Sequence, residues 1–440
     1  MKITAGLICI LTLSLSLPII AREQGGKMVW KKSDLKNIFA RIDSLQDEMI
    51  KTQQALTALP ALGPQNGGDG EKARADYLAG LLKKLGFTEV NEYRAPDKTV
   101  PSGYRPNIVA KIPGEKHDKT IWIMTHMDIV PAGPKDLWQT DPFQAVVKEG
   151  KIFGRGVEDN QQELVASIYA LKAVLDSKFV PAYDAGVVLV ADEETGSAYG
   201  IGYMLKEHNI FKKGDIIVVP DAGNEQGTMV EVAEKSIAWL KFTIRGKQTH
   251  GSTPNKGVNA HRIGARFLLH LDEVLHNRFN ATDSLFDPPL STFEPTKKEA
   301  NVPNINTVPG EDIFYFDCRI MPNYKINDVL TAVKAEAAKY EEEYHVHIQV
   351  DTSQFEQAAP PTPVTAPVVG LLTRAIKFVY GVEPQPKGIG GGTVAALFRR
   401  AGYDAAVWSK LNGTAHQPNE YCVIDNMVNN AKVYAYLLGE

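Results

Sequence analysis

Residues 121–159 read IWIMTHMDIVPAGPKDLWQTDPFQAVVKEGKIFGRGVED. The run Ile121-Trp122-Ile123-Met124 is short, apolar and β-prone, which predicts a buried strand. The strand delivers Thr125-His126-Met127-Asp128 at its end. A loop follows with Trp138 and the turn-like Asp141-Pro142-Phe143. The stretch closes on Gly154-Arg155-Gly156-Val157-Glu158-Asp159-Asn160, immediately before a helical pattern. A His and an Asp thus stand at a strand end and a second Asp at a helix start. Open α/β sheets place their chemistry in loops at the carboxyl ends of strands. An Asp beside a His is also a means of orienting a metal-binding imidazole.

Working outward, Leu35, Ile38, Phe39, Ile42, Leu45 and Met49 mark one face of a first helix, and residues 60–68 form a loop rich in Gly and Pro. A second helix starts near Asp69 as N-cap, carries Tyr77, Leu78, Leu81, Leu82 and Leu85, and stops at Gly86. Strands are predicted at 107–112 and 121–124, a helix at 164–175, and strands at 186–191 and 216–219. The last two lead into Asp192-Glu193-Glu194-Thr195-Gly196 and Pro220-Asp221-Ala222-Gly223. Strand alternating with helix predicts an α/β fold with a mostly parallel sheet covered by helices.

The rhythm changes near Ser236. Strand 239–244, a helix with Ala260, Ile263, Phe267, Leu268 and Leu271, strands 304–308 and 313–320, helix 329–340 and strand 345–350 follow. This β-α-β-β-α-β order predicts an inserted ferredoxin-like α+β domain. The Pro-rich run Ala358-Ala359-Pro360-Pro361-Thr362-Pro363 leads back to α/β. The expected division is therefore 28–235 and 353–440 as two parts of one domain, with 236–352 inserted.

A chain of 440 residues is long for one core, consistent with two domains. Hydrophobic content of 44% and charged content of 23% are those of a globular protein. The net charge of −4 gives no basic footprint for nucleic acid. Cys9 lies in the leader, and Cys318 and Cys422 make no disulfide framework; both read as buried small side chains. Residues 1–27 have two readings. Met1-Lys2 and the apolar run to Ile20 look like a signal peptide with a weak cleavage region, which implies export to the periplasm. Alternatively, Gly25-Gly26-Lys27 translates a purine-rich ribosome-binding site, Met28 is the true start, and the protein is cytoplasmic. Native peptides from residues 1–27 would sink the second reading. No stretch after residue 27 is long and apolar enough to span a membrane.

Five candidate metal ligands end or follow predicted strands: His126, Asp159, Glu194, Asp221 and His416. Imidazole with carboxylate suits zinc, with cobalt and manganese as alternatives. Any one of these carboxylates alone reads as a helix cap or a surface charge; three of them with two histidines in this arrangement do not. An odd number fits two divalent ions sharing one carboxylate, for which Asp159 is the candidate. Glu193, beside Glu194 after an apolar strand, is assigned as general base, and Asp128 as the partner orienting His126. His250, among small residues after a strand, could donate to an oxyanion. Arg319 and Asn306 could hold substrate, where the bland readings are a salt bridge and a turn. Gly390-Gly391-Gly392-Thr393 precedes a helix, so its N–H groups could receive a carboxylate. His345 and His347 alternate on a strand and read as an ordinary exposed pair.

With these residues in place the chain resembles the di-zinc metallohydrolases that include aminoacylases, acetylornithine deacetylases, succinyl-diaminopimelate desuccinylases and dipeptidases. The matching segments are Thr125–Pro131, Gly154–Asp159, Asp192–Ser197, Pro220–Gly223, Thr249–Ser252, Asn306–Pro309, Gly391–Thr393 and His416–Glu420, in the family's order. The resemblance implies one metal on His126, Asp159 and Asp221 and the other on Asp159, Glu194 and His416, with a cis peptide at Asp159–Asn160. It implies a zinc-peptidase-like fold whose inserted domain is a lid and, in many members, the dimer interface. There the histidine matching His250 reaches the partner's active site. It further implies attack of a metal-bridging hydroxide on an amide carbonyl, with Glu193 passing the water proton to the leaving amine. The expected substrate is an N-acyl amino acid or a dipeptide with a free carboxylate near Arg319, Gly391, Gly392 and Thr393. A carboxypeptidase of the same family is the near alternative, and a non-catalytic metal- or peptide-binding module the distant one, against which the intact Glu193 argues. Two departures bear on substrate: Val394 follows the Gly-Gly-Thr turn where many relatives have Asp or Tyr, and Asn160-Gln161-Gln162 follows the bridging Asp where many have Asp or Lys.

Overall fold

A computed structural model describes residues 30–440; both readings of residues 1–27 lie outside it. The main sheet has eight strands in the spatial order Glu89–Pro96, Tyr104–Ile112, Tyr183–Val190, Lys116–His126, Ile216–Asn224, Ala405–Lys410, Met229–Glu234, Gln385–Ile389. The four strands from Tyr183–Val190 to Ala405–Lys410 are mutually parallel. Antiparallel pairings join the first three strands and link Ala405–Lys410 to Met229–Glu234. The sheet is therefore mixed, with the expected parallel order at its centre.

Alternation sorts the strand residues between two apolar layers. Ile121, Ile123, Val187, Leu189 and Val218 pack with helices Lys32–Ser44, Lys72–Lys84, Gln161–Ser177, Pro367–Tyr380 and Ile424–Leu437. Trp122, Met124, Val188, Val190 and Val219 pack on the opposite face, against Ile201–Glu207 and Ala395–Arg400. Burial on both faces explains why these strands read as continuous apolar runs. The first apolar helix face is shared by two helices that meet at Leu45, Lys32–Ser44 and Gln46–Thr57, and Leu35, Ile38, Ile42, Leu45 and Met49 are all buried. The next helix starts at Lys72 rather than at Asp69, with Glu71 in the cap position and no side-chain cap.

Residues 236–356 build a separate four-stranded antiparallel sheet in the order Thr292–Lys298, Glu311–Ile320, Ser236–Arg245, His347–Glu356. Helices Ala260–Arg278 and Ile326–Tyr344 cover one face around Phe242, Phe267, Phe314 and Phe316. The β-α-β-β-α-β order holds, but its second strand is Thr292–Lys298, not 304–308. Of the latter, only Thr307–Val308 is strand, and it pairs with Thr249–His250. The last strand runs to Glu356, beyond the boundary drawn at 352. Cys318 and Cys422 are buried and unpaired among the described residues, as expected. Among the described residues no helix is long and apolar enough to cross a membrane.

Candidate metal centre

The four central parallel strands end at one edge of the sheet, and each contributes to a cluster of imidazoles and carboxylates. His126 is the last residue of its strand. Glu193 and Glu194 open a short 3₁₀ turn after Tyr183–Val190. Asp221 lies within Ile216–Asn224, which runs past the predicted end. His416 is in the loop after Ala405–Lys410, and Asp159 just precedes helix Gln161–Ser177. Gly223 permits this convergence, since a Cβ there would stand 1.8 Å from the Ser409 carbonyl oxygen.

Asp159 turns one oxygen to each imidazole. Its Oδ1 is 3.0 Å from His126 Nε2 and its Oδ2 is 3.2 Å from His416 Nε2. His126 Nε2 also faces Asp221 Oδ1 at 3.4 Å, and His416 Nε2 faces Glu194 Oε2 at 3.1 Å. All five predicted ligands thus converge in two groups that share Asp159. Glu193 stands further off, its Oε2 3.9 Å from His126 Nε2. Distance alone also allows the triads His126, Glu193, Asp221 and His126, Asp159, Glu194; the shorter approaches of Asp159 and Asp221 to His126 Nε2, and of Glu194 to His416 Nε2, favour the two groups that share Asp159. The peptide Asp159–Asn160 is cis, as the resemblance implies.

The electrostatics are those of a site built for cations. Burial opposes protonation of His126, yet hydrogen bonds to Asp128, Asp159 and Asp221 hold its pKa well above the usual range. Hydrogen bonds to Asp159 and Glu194 raise His416 to about 10. Burial would raise Asp159, but the two imidazoles hold it below the ordinary carboxylate value. Burial, reinforced by Asp221, pushes Glu193 well up, and burial raises Glu194. The imidazoles retain protons because carboxylates outnumber them, and divalent ions binding to such a donor set displace those protons. The donors therefore suit divalent cations.

Asp128 acts more broadly than predicted. His126 Nδ1 is 3.1 Å from the Asp128 carbonyl oxygen and 3.5 Å from its carboxylate. The carboxylate itself accepts the N–H groups of Glu193 and Glu194, both at 3.0 Å. Asp128 thereby ties the His126 loop to the Glu193-Glu194 turn.

Several supporting residues carried no assignment from sequence. Glu420 is buried and accepts from the N–H groups of Gly156, Glu158 and Asp159 and from Arg155; burial raises its pKa to about 7. Glu158 reciprocates by accepting the N–H groups of Asn412 and Thr414 and the Thr414 hydroxyl. These two carboxylates clasp the Asp159 loop to the His416 loop. On the other side, Arg105 forks onto Glu71, whose Oε1 accepts the Asp192 N–H, and Arg74 donates to the Met127 carbonyl. Glu420 lies inside a quoted motif and Glu158 beside Asp159, so position alone pointed to them. Nothing local pointed to Arg105.

The predicted substrate residues fare differently. Arg319 is held by Asp317 at 2.6 and 3.0 Å and donates to the Gly390 carbonyl at 2.9 Å. It joins the inserted domain to the glycine turn, and much of its donor capacity is committed. The Thr393 N–H and hydroxyl both donate to Glu234 Oε1, so a carboxylate of the chain itself occupies donors expected to receive one from substrate. Gly391 and Gly392 lie in the same partly exposed turn. His250 and Asn306 are exposed in the inserted domain; His250 Nδ1 is bonded to Ser252, and the Asn306 carbonyl accepts from Gly251. Neither touches the metal-ligand cluster among the described residues. His347 pairs with Glu341, the bland outcome. Beside the centre lies a cavity of about 320 Å³ between the domains, lined by Glu193, Glu234, Lys235, Glu356, Thr393 and Arg400, among others.

A two-domain α/β chain with a cluster of His and carboxylate side chains at the sheet's carboxyl edge is an architecture suited to a metal-dependent hydrolase. Residues 122–440 match the peptidase family M20/M25/M40, and the chain belongs to that family. It is 40% identical over 408 residues to an uncharacterized metallohydrolase of Methanocaldococcus jannaschii, covering 90% of this chain and 99% of that one. A succinyl-diaminopimelate desuccinylase of a Sulfurovum species is 28% identical over 306 residues, 69% of this chain and 78% of its own. The crystal structure of human carnosine dipeptidase 1 superposes with a TM-score of 0.67 at 18% identity, covering 92% of this chain and 98% of that one. The protein is a metallohydrolase acting on amide or peptide bonds.

Proposed function

We propose that the protein hydrolyses the amide bond of an N-acyl amino acid or a small peptide with two divalent ions, zinc being the first choice and cobalt or manganese alternatives. One ion would lie on His126, Asp159 and Asp221 and the other on Asp159, Glu194 and His416. The observation that carries this reading is Asp159, whose two oxygens face the two imidazoles. When bound, the ions would polarise the scissile carbonyl and acidify a water.

The chain's own residues supply the rest. Glu193 adjoins the cluster without being its nearest donor to His126, which suits a base that takes the proton of the attacking water and returns it to the leaving amine. Asp128 fixes His126 and both glutamates in one register. Arg319 positions the glycine turn against the inserted domain, and Gly391, Gly392 and Asn306 are left to contact substrate. His250, exposed here, would reach an active site as an oxyanion donor from a partner's lid, which requires a homodimer. The test is hydrolysis of a panel of N-acetyl and N-succinyl amino acids and dipeptides by metal-reconstituted protein, against a chelated control. Metal-dependent release of an amino acid supports the reading, and its absence across the panel overturns it.

A further inference from the structure

The glycine turn, expected to receive a substrate carboxylate, is answered by Glu234. Glu234 Oε1 accepts the Thr393 N–H at 2.9 Å and its hydroxyl at 2.6 Å. Its other oxygen, Oε2, accepts no hydrogen bond among the described residues, although only 4% of the side chain is exposed. Glu234 and Glu193 line the same cavity. That oxygen keeps some solvent access, so it can take a further donor, and a charged donor is the strongest.

The neighbouring cations do not meet that need. Arg399 is forked onto Glu231 at 2.8 and 3.0 Å and approaches Glu234 Oε1 at 3.5 Å, so one guanidinium serves two carboxylates. Lys235 donates to the Pro288 and Leu290 carbonyls at 2.9 and 2.6 Å. Arg400 is paired with Glu356 at 2.6 Å and with the Gln357 carbonyl at 3.1 Å. Three carboxylates, Glu193, Glu234 and Glu356, line the cavity with two cations, Lys235 and Arg400, neither of which is bonded to Glu234. At about 320 Å³ the cavity is of a size to take one amino-acid-sized group.

We propose that this cavity is a subsite for a primary ammonium group of the substrate, with Glu234 Oε2 as its acceptor. Substrates carrying that cation are hydrolysed in preference to uncharged analogues of the same skeleton. The proposal rests on the amidohydrolase reading above. The ammonium is either the free α-amino group of a dipeptide or the side chain of a lysine-like residue.

Two substrate pairs separate these sources on metal-reconstituted wild-type protein: alanyl-alanine against propionyl-alanine, and Nα-acetyl-lysine against Nα-acetyl-norleucine. Within each pair the skeleton is shared and the amino group is removed. The expected result is at least a roughly tenfold preference in kcat/KM for the charged member of one pair, since an unmatched buried charge discriminates strongly. The pair that shows it names the source. In Glu234→Gln, which keeps a carbonyl for Thr393, that preference collapses to within about threefold of unity, mainly through KM. Equal rates within both pairs, preference for the neutral members, or an unchanged preference in the variant overturns the proposal while hydrolysis persists. Because the wild-type comparison needs no variant, it stands if Glu234→Gln misfolds. Loss of metal-dependent turnover across these substrates and the wider panel would instead overturn the amidohydrolase reading itself.

Discussion

Asp159 and Glu193 divide the labour at the residue scale, and each makes a separate prediction. Among the described residues Asp159 is the one side chain within ion-pair distance of both imidazoles, so Asp159→Asn is expected to lower bound metal from the proposed two ions per chain towards one or none, read by elemental analysis. Glu193 lies off the nearest ligand positions. Glu193→Gln should keep both ions and lower kcat by about 10²–10⁴-fold with KM little changed; a variant with full turnover would remove Glu193 from the mechanism. Proton linkage follows from the same geometry. In the metal-free protein the hydrogen bonds that His416 donates to Asp159 and Glu194 raise it to about 10. Below that pH its Nε2 holds a proton that must leave before an ion can bind. Metal affinity is therefore expected to rise with pH across the neutral range, and calorimetry in buffers of different ionisation enthalpy should show net proton release on binding at pH 7. Binding with no proton release would contradict the assignment of the imidazoles as ligands.

At the scale of elements, the centre is held by clasps between loops. Glu420 collects three N–H groups of the Asp159 loop and Arg155, and Glu158 collects donors from the loop that carries His416. Removing one partner of a buried ion pair costs about 3–5 kcal/mol. Glu420→Ala is therefore expected to destabilise the metal-free protein by about that amount and to weaken metal binding; denaturant melts with and without chelator would show both effects. Four of the five candidate ligands were legible because each ends or follows an apolar strand, and strand ends can be read from composition; Asp159, just before a helix, was read from the motif that carries it. The clasps were not, since a buried Arg or Glu looks like a surface charge until its partner is known. Arg105 meets Glu71 from a different element, and no periodicity links them. Strand Thr292–Lys298 was missed for a related reason. It carries Pro295 and a register shift between Pro295 and Lys297, features that suppress a strand pattern but are tolerated on the sheet edge that it occupies.

For the whole molecule, the question is how the inserted domain serves a centre that it does not build. Its contacts to the catalytic part include Arg319 to the Gly390 carbonyl and Glu356 to Arg400, near the cavity beside Glu193. His250, by contrast, is exposed and its side chain is bonded to Ser252. If His250 completes the site of a second subunit, two inactive variants should rescue one another. His250→Asn and Glu193→Gln, each weak alone, are mixed under conditions that allow subunit exchange. Random assortment makes half the dimers mixed, and in each of those one site regains both groups, so activity is expected to recover to about one quarter of wild type. Sedimentation must show a dimer under the same conditions. Recovery would show His250 acting across the interface. A mixture no more active than its components, in a demonstrated and exchanging dimer, would return His250 to its own subunit and require the inserted domain to close over the centre within one chain.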